Sequence, residues 1–170
     1  MDNKLIKTEI KDHVAVVTMD APPVNAQSRE FVEELIAVFE YALDRLEKLA
    51  EARGAFEDPA FVARYARLRL DLYDLGSTFE RFAKVWRSGG ELGADVSMLK
   101  ISTTELYQRI TEEMLVVAGE EARFADDLEA GNAPIDAMNL FLDSRAPAIF
   151  GGSNEIQRNI LAKAVLQLPG

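Results

Sequence analysis

The sequence predicts a mainly α protein, an up-and-down four-helix bundle with a small β-hairpin at its N-terminus. Three observations support this fold class. Apolar residues recur at helical spacing through four long segments, glycines follow three of these segments, and a β-branched run lies near the N-terminus. The chain has 170 residues, of which 48% are apolar, so it can bury a core of its own as one domain.

The first 27 residues are expected to form the hairpin and a loop. Lys4–Ile10 and Val14–Met19 are predicted to be its strands, with the turn near His13. Pro22 and Pro23 end the second strand because proline has no backbone N–H to donate. A two-stranded hairpin is marginal in water, so it should pack on the helices or pair its edge with another copy of the chain.

Residues 28–170 are expected to form the helical bundle. Asp58 followed by Pro59 is a strong helix start, and Gly54, Gly89 and Gly119 are placed to end helices. The predicted helices span residues 28–53, 58–88, 95–118 and 153–166, with a short helix at 135–144. The segment between residues 120 and 134 is acidic and rich in Ala and Gly, which indicates a solvated connection with a short turn of helix at most.

The second helix has an apolar stripe at alternating spacings of four and three residues. Heptad spacing of this kind is typical of helices that cross at about 20° in a bundle. Core packing is therefore preferred over a stacking site for a flavin or nucleobase. The stripe consists of Phe61, Tyr65, Leu68, Leu72, Leu75, Phe79, Phe82 and Trp86.

Composition excludes several classes of function. The chain has 19 basic and 29 acidic residues, a formal charge of −10, so neither nucleic acid nor an anionic membrane surface is an expected partner. It has no cysteine, hence no disulfide, thiolate nucleophile or zinc-thiolate site, and no metal is expected. Signal-peptide and membrane-spanning patterns are not found, and we expect a cytoplasmic protein.

The stretch best suited to bind a ligand is Arg145–Lys163. Gly151 and Gly152 precede Ser153 and Asn154, either of which can cap the last helix, so free backbone N–H groups should converge after the glycines. Such a loop can hold a phosphate, a carboxylate or a polarised carbonyl. A plain helix-to-helix turn has the same pattern and remains the alternative. Arg145 and Asp143, which flank the loop, are expected to form a structural ion pair.

The segment Ile149–Pro169 resembles the C-terminal signature of the acyl-CoA dehydrogenase family, and the likeness extends back to about residue 43. In many members a Glu in this loop removes the α-proton of the acyl-CoA, and here Gly151 occupies its position. No catalytic residue is therefore assigned. The resemblance implies a substrate contact at Gly152 and FAD contacts at Ser153, Asn154 and Glu155. Some relatives with Gly in that place supply the base from an earlier helix.

A second resemblance concerns residues 1–40. Asp12–Leu35 is similar to the opening of the enoyl-CoA hydratase (crotonase) family, in which the equivalent of Val24-Asn25-Ala26 borders the CoA pocket. The oxyanion-hole segments and catalytic acids of that family have no counterpart later in the chain. We therefore expect no hydratase activity and a packing role for this segment, with the seam between the two likenesses at about residues 39–46.

Three hypotheses about function follow. The first is a non-catalytic helical module that self-associates as a dimer or tetramer. The second is a small subunit that completes an FAD and acyl-CoA site on a partner acyl-CoA dehydrogenase, an oxidoreductase acting on CH–CH groups in fatty acid metabolism. FAD has limited support because Leu115–Glu120 replaces a Gln and Gly-Gly that reach the flavin in many members. The third is an independent enzyme with Glu155 as base; we do not expect the chain to be active alone.

Overall fold

The computed structural model describes residues 6–11, 14–19, 29–123, 128–130 and 133–169, and for residues 6–38 it describes the backbone only. The described chain is mainly helical, as predicted. Its helices are α1 (Arg29–Ala52), α2 (Pro59–Arg87), α3 (Ser97–Ala118), α4 (Ala137–Asp143) and α5 (Asn154–Ile160). A π-helical turn, Leu161–Val165, continues α5, and 3-10 turns lie at Ala55–Glu57, Ala94–Val96, Gly119–Arg123 and Ala146–Ala148.

Helix α3 is the centre of the bundle, because α1, α2, α4 and α5 all pack against it. Its residues Leu106, Ile110 and Met114 are almost completely buried. They belong to one core with the apolar stripes of α1 and α2, and the buried members include Leu43, Leu46, Leu49, Phe61, Leu68, Leu72, Leu75, Phe79 and Phe82. The apolar stripe predicted for the second helix is thus confirmed along most of its length.

Local signals set the start of α2 and the ends of α1 and α3 where the sequence predicted them, whereas the last helix, predicted for residues 153–166, is α-helical only over Asn154–Ile160. The Asp58 carboxylate accepts hydrogen bonds from the backbone N–H of Ala60 at 2.9 Å and of Phe61 at 3.3 Å, which caps α2. Gly54 and Gly119 follow α1 and α3 with φ of 67° and 63°. A positive φ suits glycine at both positions, and Gly54 has the left-handed helical conformation that is common just after a helix.

Two predictions about the bundle are wrong. The heptad stripe predicts Trp86 in the core, but its side chain is 46% exposed because it lies in the last turn of α2, beyond the last buried residues. The connection after α3 has the predicted short helical turn, at Gly119–Arg123, but it is not merely solvated. Strands β3 (Leu128–Ala130) and β4 (Ala133–Ile135) pair antiparallel, and Leu128 and Ile135 face each other in register and are buried. Strand β3 packs on α1.

Two N-terminal strands, β1 (Ile6–Lys11) and β2 (Val14–Met19), pair antiparallel, with Ile6 opposite Met19 and Lys11 opposite Val14. The predicted turn at His13 and the segment from Asp20 to Ser28 lie outside the described residues. The hairpin's packing and its crotonase-like character therefore stay predictions.

The position of α3 leads to a first prediction. Met114→Ala should lower the free energy of unfolding by about 2–5 kcal/mol, because it removes buried methylenes and leaves a cavity. The matched control is Val116→Ala on the same helix, whose side chain is 62% exposed and whose truncation should cost less than about 1 kcal/mol. Urea unfolding followed by far-ultraviolet circular dichroism measures both, and equal effects would contradict the central place of α3.

Candidate functional site

The loop that precedes α5 has an unusual backbone at two consecutive glycines. Gly151 has φ of 64° and Gly152 has φ of 90°. A Cβ at Gly151 would meet nothing within 4 Å, so the backbone conformation, not a lack of space, favours glycine there. An L-residue in this region costs about 1–2 kcal/mol.

Lys100 of α3 binds the loop through hydrogen bonds from its ammonium group. Its Nζ donates hydrogen bonds to the carbonyl oxygens of Gly152 and of Ala148, the latter at 3.3 Å, and to Asn154 Oδ1 at 3.4 Å. Three acceptors from the loop thus meet one cation, and charge-assisted hydrogen bonds of this kind are stronger than neutral ones. The loop therefore has a defined position on α3.

Asn154 fixes the start of α5 in the same place. Its side chain is only 5% exposed, and its Nδ2 donates to Thr104 Oγ1 at 2.9 Å. Arg158, one turn later, pairs with Glu105. The expected flavin contact at Asn154 thus has a side chain that is already engaged with α3, so any contact with a ligand there would use its backbone.

A second polar anchor precedes the loop. Ser144 is fully buried; its Oγ accepts hydrogen bonds from Thr111 Oγ1 at 3.0 Å and from an Arg145 guanidinium N–H at 2.8 Å. Arg145 also pairs with Glu112 at 2.8 Å. The predicted pair of Arg145 with Asp143 is therefore wrong, since residues two apart on helical backbone do not face each other.

Burial, followed by the nearby charge of Asp136, raises the pKa of the Asp143 carboxyl. The structure thus places Asp143 in an environment that disfavours its charge, not beside a cation. Asp143 has no assigned role in the loop.

The loop offers hydrogen-bond donors to a ligand. Among the described residues, none accepts a hydrogen bond from the backbone N–H of Gly151, Gly152, Ser153 or Asn154. The carbonyl oxygen of Gly152 accepts a hydrogen bond from the Lys100 ammonium group. Because α5 is short, its dipole adds little. The donor character of the loop comes from these amides.

Ser153 and Glu155 form a small polar unit at the rim. Ser153 is the N-cap of α5, and its hydroxyl accepts from the backbone N–H of Ile156 at 3.5 Å. A hydrogen bond with Ser153 lowers the pKa of the exposed Glu155 carboxyl, and the backbone N–H of Glu155 and then the charges of Arg158 and Lys100 lower it further. A carboxylate with a lowered pKa is a weak base, so Glu155 is poorly suited to proton abstraction.

Sequence reasoning missed the residues that support the loop. Lys100, Thr104, Gln108 and Thr111 follow one another at spacings of four, four and three, which places them on one face of α3. A polar stripe of this kind on a central helix can be recognised in the sequence, and it indicates a polar contact within the bundle. Its partners in the loop could not be deduced from spacing.

With this geometry in place, comparison with known proteins decides the family. The profile described as "Acyl-CoA dehydrogenase, C-terminal domain" matches residues 32–166. The chain belongs to the acyl-CoA dehydrogenase C-terminal domain family. The match begins ahead of the predicted seam at residues 39–46 and does not test the crotonase-like likeness of the segment before it.

Curated relatives are acyl-CoA dehydrogenases. The chain is 30% identical over 132 residues to acyl-CoA dehydrogenase IpdE1 of Mycobacterium tuberculosis, covering 78% of this chain and 33% of that one. It is 33% identical over 125 residues to IpdE1 of Mycolicibacterium smegmatis, covering 73% and 29%. The chain thus spans about a third of the length of these relatives.

Solved structures share the fold. A steroid acyl-CoA dehydrogenase, Tcur3481-Tcur3483, matches with a TM-score of 0.65 at 17% identity, covering 96% of this chain and 48% of that one. PigA in complex with FAD matches with a TM-score of 0.67 at 19% identity, covering 93% and 42%. Both likenesses establish the acyl-CoA dehydrogenase type of helical fold.

Within the described ranges, no group of three or more His, Asp or Glu side chains is placed to hold a metal ion. No helix in the same ranges combines the length and apolar character needed to cross a bilayer.

Lys100 leads to a second prediction. Lys100→Met removes the cation that holds the carbonyls of Ala148 and Gly152. Amide hydrogen exchange at Phe150 and Gln157, whose N–H groups bond to the carbonyls of Ala146 and Ser153 at the two ends of the loop, should therefore accelerate about tenfold or more, as local opening becomes easier. The matched control is Lys84→Met on the exposed side of α2. If the amide exchange rates at the loop are unchanged in Lys100→Met, Lys100 does not stabilise the position of the loop.

Ser153 leads to a third prediction. Ser153→Ala should raise the pKa of Glu155 towards its ordinary value, because the hydrogen bond that favours the charged form is lost. Ser153→Thr keeps the hydroxyl and should keep the lowered pKa. NMR titration of the Glu155 side-chain carboxyl distinguishes the two variants, and identical titrations would contradict the role of the Ser153 hydroxyl in lowering the pKa of Glu155.

Proposed function

We propose that this chain completes an FAD and acyl-CoA site on a partner acyl-CoA dehydrogenase polypeptide, to which it offers the loop from Gly151 to Glu155. The main observation in favour of the proposal is that contacts with α3 fix the conformation of the loop. Its amides at residues 151–154 have no acceptor among the described residues, while Lys100 and Asn154 hold it rigidly on α3.

The donor set fits a flavin or a CoA thioester in part. Backbone N–H groups suit the carbonyl oxygens of a flavin ring, the phosphates of a dinucleotide and the thioester carbonyl. Gly152 would contact substrate, and Ser153, Asn154 and Glu155 would contact FAD. When bound, FAD supplies the acceptor for hydride transfer. This chain's own part is to position these groups.

Catalysis by the chain alone is not proposed. Gly151 has no side chain to remove a proton, and Glu155 is exposed with a lowered pKa. In the proposed arrangement, the partner would supply the remaining walls of the site. The steroid acyl-CoA dehydrogenase that shares the fold has two names in its title, Tcur3481 and Tcur3483, which supports a two-part arrangement here.

Exposed apolar side chains beside the loop also support a partner. Ile149 and Phe150 are 66% and 69% exposed, directly ahead of Gly151. Contiguous exposed apolar surface marks interaction sites. A partner that contacted the loop would cover both side chains.

A second candidate function is self-association of the helical module as a dimer or tetramer. The outward side of α5 and the residues after it favour this candidate, since Ile156, Val165, Leu166 and Leu168 are also exposed. The two candidates use adjoining surfaces, since a Cβ at Gly152 would come within 3.9 Å of the Ile156 side chain.

Titration of the purified chain with FAD, followed by flavin fluorescence, tests the proposal. Saturable binding of about micromolar to millimolar strength is expected without a partner, because half the site is missing. Ser153→Ala should weaken it, whereas Ser88→Ala at the end of α2 should not. The absence of binding at millimolar FAD would overturn the flavin role and leave self-association as the function.

A further inference from the structure

Residues 144–169, which we call the C-terminal strap, lie outside the apolar core. Among the described residues, no side chain that follows Leu140 belongs to that core or packs against it. Only Ser144 and Asn154 are buried within the strap, and both are polar. Seven of the large apolar side chains of the strap are instead exposed by more than a third: Ile149, Phe150, Ile156, Ile160, Val165, Leu166 and Leu168.

Polar contacts with α3 hold the strap in place. Thr111 donates a hydrogen bond to Ser144 at 3.0 Å, and Asn154 donates one to Thr104 at 2.9 Å. Two ion pairs with α3 lie at the surface, and in each of them both side chains are at least 35% exposed. The π-helical turn also contacts the 3-10 turn Ala94–Val96. The α3 residues that bind the strap through hydrogen bonds or ion pairs are Lys100, Thr104, Glu105, Gln108, Thr111 and Glu112.

Attachment of this kind is weak compared with the packing of the core. Burial of apolar surface is the main source of folding free energy, whereas a hydrogen bond or an exposed ion pair replaces contacts with water and contributes much less. Opening the strap exposes little additional apolar side-chain surface, because most of that surface is already exposed. The strap should therefore leave α3 at a lower cost in free energy than the unfolding of the bundle.

The parts of the strap depend on the same support. Helix α5 has seven residues and its π-helical turn five, and isolated helices shorter than about 12–15 residues are marginal in water. Lys100 binds the carbonyls of Ala148 and Gly152 together with the Asn154 side chain, so the loop and the start of α5 are held by one group. Loss of the contacts with α3 should therefore release the loop and unwind α5 together.

We propose that the C-terminal strap opens from α3 as one cooperative unit while the core of α1, α2 and α3 stays folded. The hinge is the last turn of α4, between Leu140, which packs against the core, and Ser144. Opening disperses the donors of residues 151–154, because Lys100 and Thr104 no longer fix the loop and the start of α5. A ligand that binds these donors favours the closed state, a consequence that rests on the proposed function, whereas the opening itself does not.

Native-state hydrogen exchange of the full chain, followed by NMR at low urea concentrations, tests the opening. After correction for intrinsic rates, the strap amides should exchange at least about a hundredfold faster than the amides of Ile110 and Met114 on α3, and their rates should agree within about threefold. They should also depend less on urea, since opening exposes less surface. Four strap amides that donate to backbone carbonyls of the strap are the reporters: Phe150, Gln157, Leu166 and Leu168.

Two results would overturn the proposal. Strap amides that exchange at the rate of Ile110 and Met114, with the same urea dependence, open only when the whole bundle unfolds. A steady fall in exchange rate from Leu168 back to Phe150 indicates fraying from the C-terminus and not a single unit.

Thr104→Val tests whether the strap opens as one unit. The variant keeps the shape of the side chain and removes the partner of the buried Asn154 amide, so all four strap amides should exchange about tenfold faster and by the same factor. Asn154→Ala removes the other side of this contact and should accelerate the same amides. The matched control is Thr103→Val, since Thr103 is half-buried and is not among the α3 residues that bind the strap. Acceleration confined to Gln157, the reporter nearest to Asn154, argues against one unit.

Leu46→Ala tests whether the core stays folded during opening. Leu46 is fully buried on α1, so its truncation should accelerate the amides of Ile110 and Met114 about thirtyfold or more through global unfolding. The strap amides should keep their wild-type rates, because the contacts of Leu46 are intact in the open state. Equal acceleration in the strap and in α3 is the contrary result. Leu46→Val is the milder variant if Leu46→Ala does not fold.

FAD distinguishes this proposal from the proposed function. FAD that binds the closed loop, at about ten times its dissociation constant, should slow exchange at Leu168 about tenfold, although Leu168 lies well beyond the loop in the sequence. Binding of FAD without this slowing would contradict the link between closing and binding. Failure of FAD to bind counts against the flavin role alone, since the exchange measurements without ligand decide the opening.

Discussion

Helix α3 is the element on which both the core and the loop depend. Its apolar side chains Leu106, Ile110 and Met114 are almost completely buried in the core shared with α1 and α2. Its polar side chains at positions 100, 104, 108 and 111 hold the segment from Ser144 to Asn154. One helix thus connects the packing of the bundle to the geometry of the candidate site. A change that shifts α3 in its core would move every support of the loop at once.

The long helices could be predicted from the sequence because several local signals agreed. The heptad stripe, the cap at Asp58 and the glycines at positions 54 and 119 all indicate the same boundaries. The short strands β3 and β4 could not be predicted in the same way. Three residues are too few for a periodic pattern, and the burial of Leu128 and Ile135 depends on α1, which is distant in sequence.

The candidate site was predictable in position and only partly in detail. A loop with two glycines and a cap was evident, and Ser153 does cap α5. The hydrogen bond from Lys100 to Gly152 and the hydrogen bond from buried Asn154 to Thr104 both join residues about fifty positions apart. Local spacing carries no information about such partners. The same holds for Arg145, which forms its ion pair with Glu112 on α3 and not with Asp143, two residues away in the sequence.

The loop has backbone donors that could bind a ligand, but it has no side chain at residue 151 that could remove a proton. Gly151 keeps a left-handed backbone with free space around its missing side chain, so the amides are positioned without any base at that residue. Lys100 satisfies the carbonyls of Gly152 and Ala148, which leaves donors as the groups that the loop can offer. Preset donors bind an anion or a carbonyl whether or not a reaction follows, since their orientation is already fixed before the ligand arrives. The loop as we propose it would be a binding element without a base of its own, and any proton transfer next to it would need a base from another part of a complete site.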